Sequence, residues 1–108
     1  MKDMIDVNMV VKEKTCNISV AGTLDYTTMD LFNEHLAIIE EKVERVIIDF
    51  NGLEFIDSTG IGSIINLVYE AKSKHFGIEL KGINEEIQLL FETIGVFQII
   101  ESLHREGK

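Results

Sequence analysis

Proline is absent, cysteine occurs once and glycine 8 times in 108 residues. A chain this poor in backbone punctuation, yet 45% apolar and 27% charged, has the composition of a packed globular protein and not of a disordered tail. The lone Cys16 excludes an internal disulfide, and the histidines at positions 35, 75 and 104 show no zinc-ligand spacing. Both facts fit a reducing cytoplasm. Cations are the next shortage: 10 Lys and Arg face 19 Asp and Glu, a formal charge of -9. Such a surface repels nucleic acid and anionic membranes, whereas a partner steered by charge is expected to be basic. The longest apolar run, residues 36–39, falls far short of the roughly 20 residues a helical membrane span needs. The N-terminus passes into alternating residues without a signal-like apolar core. The expectation is one cytoplasmic domain, residues 1–108, with a single core and a single site.

Periodicity supplies the elements. Ile5, Val7, Met9 and Val11 alternate with Asp6 and Asn8; after a charged turn, Cys16, Ile18 and Val20 alternate with Thr15, Asn17 and Ser19. This predicts a hairpin ended by Gly22. Thr27 followed by Asp30 has the form of a capping box and opens a helical stripe of Met29, Phe32, Leu36, Ile39 and Val43. Residues 45–50, with Val46, Ile47 and Ile48 in succession, predict a central buried strand. Residues 51–60 read as a turn-rich connection into a second helix, whose stripe is Ile61, Ile64, Ile65, Val68 and Ala71 and which stops near Gly77. Ile78 and Leu80 predict a fourth strand, and Asn84 caps a third helix that Gly95 closes. Residues 96–100 predict a last short strand before a polar tail that reads as a frayed helix. The fold class is therefore α/β: a mixed sheet of about five strands with amphipathic helices packed on it.

Chemistry concentrates in Asp57, Ser58, Thr59, Gly60, Ile61 and Gly62, where a loop meets a helix N-terminus. Asp, Ser and Thr are the common N-caps, and capping alone would account for one of them. Three stand in a row, and glycines at 60 and 62 inside a helix each cost on the order of 1 kcal/mol relative to alanine. Either close packing against the sheet requires them, or a second molecule approaches the backbone there. A phosphate on Ser58 would sit beside free amides and the positive end of the helix dipole. A hydrolase is disfavoured because Ile56 stands where the nucleophile elbow needs glycine. The G-x-G at 60 and 62 is too short for a nucleotide loop, and no P-loop pattern exists. A second cluster, Gly22, Thr23, Leu24, Asp25, Tyr26 and Thr27, stands at the exit of the second strand. In this element order it is expected beside the first, both lying at the carboxyl ends of neighbouring strands.

On these residues the chain resembles the anti-sigma factor antagonists, the small bacterial STAS domains, over essentially its whole length. Residues 57–62 are similar to the family's D-S-[ST]-G-[LI]-G phosphorylation motif, and residues 22–25 to its glycine-to-aspartate turn. Asn51, Leu53, Phe55 and Ile56 follow its usual run from the central strand into the motif. The resemblance implies a single STAS-type domain acting as a protein-binding switch, with no catalysis, metal or cofactor of its own. The unmodified form would bind an anti-sigma factor, itself a serine kinase with a histidine-kinase-like ATPase fold, and so release the sigma factor. That kinase would use ATP and magnesium to phosphorylate Ser58, with Thr59 as second choice, and a metal-dependent serine phosphatase would restore it. The implied partner surface is Asp25, Tyr26, Thr27, Asp57, Ser58, Thr59, Gly60, Ile61 and Gly62. The alternative in the same fold is a non-switching assembly or adaptor subunit of the stressosome or lipid-transport type, in which Ser58 is only a helix cap.

Overall fold

The computed structural model describes residues 5–106. Strands β1 (Ile5–Lys12), β2 (Thr15–Leu24), β3 (Arg45–Ile56) and β4 (Gly77–Lys81) form one sheet in the order β1-β2-β3-β4. The helices are α1 (Met29–Ala37), α2 (Ser58–Lys74), α3 (Glu85–Ile94) and α4 (Val96–Glu106). β1 runs antiparallel to β2, while β2, β3 and β4 are mutually parallel. The two parallel connections, β2-α1-β3 and β3-α2-β4, step the same way across the sheet, so right-handed crossovers place α1 and α2 on one face. There α1 packs on α2, and α4 packs on α2 and α3.

Register explains which side chains form the core. Cys16, Ile18 and Val20 lie beside Val46 and Ile48, and all are buried under the helices. Asn17, Ser19, Ile47 and Asp49 point to the opposite face, which no described helix covers. Phe50 reaches Phe91 of α3 edge-on with ring centroids 6.0 Å apart, and Phe91 meets Phe97 of α4 in the same way, which ties the last two helices to the sheet. Asn84 accepts a bond from the Ile87 amide at 2.8 Å, and Gly95, at φ 89°, closes α3 as its motif predicts.

Several expectations are corrected. Four strands are described, not about five: residues 96–100 begin α4, because Val96 and Ile100 bury one helical face at i, i+4 spacing. β2 does not end at Gly22, which sits inside the strand at φ 94°, but continues to Leu24. Residues 51–56 are strand, not connection: the register shifts twice, and each shift inserts an extra residue in β3 relative to β2. These bulges replace period two by buried Phe50, Leu53 and Ile56 at intervals of three, so the segment does not alternate as a strand should. α1 stops at Ala37; Ile39 and Val43 are buried as expected but follow the helix. α2 ends at Lys74, with His75 in the left-handed conformation ahead of Gly77.

Candidate functional site

Parallel pairing sets Leu24 beside Ile56, so the chain leaves β2 and β3 side by side at the carboxyl end of the sheet. The Asp57 amide donates to the Leu24 carbonyl at 3.3 Å and keeps the two exits in contact. Asp25 and Asp57, the first residues past the two strands, thus flank one edge, as the two-cluster reading expects.

At the β3 exit, Asp57 is the N-cap of α2: its Oδ1 accepts from the Gly60 amide at 2.9 Å. Capping is therefore done by Asp57. Ser58, the first residue of the helix, is exposed and does not carry that duty, while Thr59 is half-buried. The two glycines separate. A Cβ on Gly60 would collide with the Leu24 carbonyl oxygen and come within 2.7 Å of Ile56 Cγ1. A Cβ on the exposed Gly62 would meet nothing within 4 Å. Close packing thus accounts for Gly60 and leaves Gly62 without a structural reason. Ile61 is buried, so its side chain supports the helix from below.

At the β2 exit, Asp25 Oδ1 accepts from the Thr27 amide at 2.9 Å and from the Thr27 hydroxyl at 2.6 Å. Thr27 is therefore not the cap of α1, as its spacing to Asp30 suggests, but a clamp on Asp25. The N-cap position belongs to Thr28, whose side chain makes no cap bond. Its buried hydroxyl donates to the Thr23 carbonyl at 2.9 Å and accepts from the Asp25 amide at 3.0 Å. Sequence reasoning passes over Thr28; a second threonine directly before an apolar helical stripe is the signal that marks it. Tyr26 stands between these residues, 72% exposed.

The hydrogen bond from the Thr27 hydroxyl, with further bonds from the Thr27 amide and Thr28, holds the Asp25 carboxyl below its ordinary pKa against a smaller opposing effect of desolvation. A depressed carboxyl stabilises the loop fully above the unfolded-state pKa of about 4, and that contribution is lost as pH falls through the lower folded value. Thr27→Val is expected to raise the Asp25 pKa, measured by carboxyl NMR titration; an unchanged titration would contradict the clamp.

Fold and site together define a small α/β domain that exposes a serine at the start of a helix beside an ordered acidic turn. The STAS domain family model matches residues 6–106, and the chain belongs to that family. It is 28% identical over 108 residues to the anti-sigma-B factor antagonist of Listeria monocytogenes serovar 1/2a (strain ATCC BAA-679 / EGD-e), covering 96% of this chain and 95% of the relative. It is 25% identical over 104 residues to the anti-sigma-B factor antagonist of Bacillus subtilis (strain 168), covering 95% of each. The solved structure of the Bacillus cell fate determinant SpoIIAA in its phosphorylated form superposes with a TM-score of 0.69 at 22% identity, over 86% of both chains, and shows the shared fold. No described helix is long and apolar enough to cross a membrane.

Proposed function

We propose that this chain is an anti-sigma factor antagonist that works in the cytoplasm as a phosphoswitch. Its unmodified form binds an anti-sigma factor with serine kinase activity and releases the sigma factor; phosphorylation of Ser58 ends that binding, and a serine phosphatase restores it. The observation that carries the reading is the division of labour at residues 57 and 58. Asp57 caps α2, so Ser58 is a surface hydroxyl that the fold does not use as a cap. Family membership and relatives named anti-sigma factor antagonists support the same reading.

The location suits a switch that needs no refolding. A phosphate on Ser58 adds a charge of about -1.5 to -2. The positive end of the α2 dipole offsets part of that charge, so the domain itself tolerates it. The partner does not: an interface fitted to a hydroxyl would have to desolvate a dianion beside Asp57, close to the Asp25 turn. Asp25, Tyr26, Thr27 and the residues 57–62 form the docking surface in this reading, with Thr59 the second choice for modification.

The test is incubation with the source organism's anti-sigma kinase, ATP and magnesium, followed by mass-spectrometric mapping. Phosphate is expected on Ser58, and Ser58→Ala should abolish its incorporation. Undiminished incorporation in Ser58→Ala would overturn the assignment.

A further inference from the structure

Two features of the carboxyl end are independent of the phosphorylation motif. The first is charge segregation. Lys12, Lys14, Lys42, Arg45, Lys72 and Lys74 all belong to the opposite end of the sheet, at the β1-β2 turn, the start of β3, the approach to it and the end of α2. There Lys14 pairs with Glu44, Lys42 with Glu40, Arg45 with Glu79 and Lys74 with Glu70. Around the exits of β2 and β3 the charged residues are Asp25, Asp30, Glu54 and Asp57, with Glu85 and Glu86 at the start of α3. Lys81, the last residue of β4, lies level with Asp49 in the register, well short of these exits.

The second feature is an aromatic that the fold leaves uncovered. The register pairs Ile56 with Leu24, both buried, and Phe55 with Thr23. Phe55 therefore points away from the helices, onto the open face of the sheet. The bulge at Glu54 sets this alternation, because Leu53 is buried while Glu54 and Phe55 are both exposed. Phe55 is 53% exposed, directly after Glu54, two residues before Asp57 and three before Ser58. Tyr26, the other exposed aromatic of this end, follows Asp25. Exposed aromatics within a charged rim are the usual anatomy of an interface centre.

We propose that Phe55 and Tyr26 are the apolar anchors of a docking surface for a basic face of a partner protein, which seats arginine or lysine side chains over the two rings and against the surrounding carboxylates. The occupant is set by charge: an acidic rim selects a cationic face and excludes an anionic one. The rings add contact area and attract guanidinium or ammonium groups through their faces. The proposal rests on the switch reading for the identity of the partner and extends the surface beyond the motif, onto the helix-free side of the sheet.

The test measures the affinity of the anti-sigma factor for purified full-length wild type, Phe55→Ala, Tyr26→Ala, Ser58→Asp and Tyr69→Ala, at low and moderate salt. Tyr69 is 66% exposed on α2, 11 residues and so about 16 Å along the helix from Ser58, and serves as the remote aromatic control. Phe55→Ala and Tyr26→Ala are expected to bind at least tenfold more weakly with unchanged melting curves, Tyr69→Ala as wild type. Wild-type association is expected to slow as salt rises. Loss of binding by Ser58→Asp with unaltered binding by Phe55→Ala and Tyr26→Ala overturns the anchors and leaves the switch standing. Weakened binding by the two anchor variants with wild-type affinity in Ser58→Asp supports the surface and overturns the switch.

Discussion

Gly60→Ala is expected to lower the melting temperature by about 10 °C, a loss of about 2 kcal/mol at the usual scaling for a domain of this size. Alanine normally gains on the order of 1 kcal/mol over glycine in a helix, so the sign depends on whether the new methyl can be accommodated. Here its neighbours include backbone: the Cβ would press on the Leu24 carbonyl, which also accepts from the Asp57 amide, and on Ile56. Relief requires moving α2 away from the β2 exit, and overpacking of this kind typically costs about 1–3 kcal/mol. Gly62→Ala is the matched comparison, since its Cβ meets nothing within 4 Å. It is expected to raise stability by on the order of 1 kcal/mol and, if a partner approaches the backbone there, to weaken binding. Equal melting temperatures for the two variants, from parallel thermal unfolding, would contradict the division between a packing glycine and an exposed one.

Ser58→Asp is expected to weaken binding of the anti-sigma factor by about a hundredfold, since a penalty of only ~3 kcal/mol suffices for that and each 1.4 kcal/mol is tenfold. Ser58→Ala should bind as wild type, because it keeps a small neutral group at the position and leaves the Asp57 cap intact. Neither variant should alter stability by more than a few tenths of a kcal/mol, as expected for an exposed residue that does not cap its helix. Titration calorimetry and thermal unfolding on the same samples separate loss of affinity from loss of fold. Unchanged affinity in Ser58→Asp would point to the non-switching adaptor.

Most of the fold is legible in the sequence where one periodicity governs a segment. The hairpin follows from alternation, α2 from its apolar stripe, and α3 from the Asn84 cap and the Gly95 stop. Reading fails where the period is interrupted or shared. Residues 51–56 are obscured by two bulges that convert a spacing of two into a spacing of three. Residues 96–100 present Val96, Phe97, Ile99 and Ile100, a pattern as apolar as a short strand. Contact with α2, α3 and β4 makes them helix. At the site, the motif and its acidic neighbour are visible in sequence, but the roles are not. Which of Asp57, Ser58 and Thr59 caps α2, which glycine packs, and whether Thr27 caps or clamps are each decided by a single contact. Phe55 shows the same limit: its exposure follows from register, and register past a bulge is a tertiary property.

The most direct measurement is affinity capture from lysate of the source organism with immobilised wild type, Ser58→Ala and Ser58→Asp in parallel, with mass spectrometry of the retained proteins. The expected result is an ATPase-fold serine kinase retained by wild type and Ser58→Ala and lost from Ser58→Asp. Equal retention of the same partner by all three would contradict the switch and reduce Ser58 to an exposed residue of an assembly module.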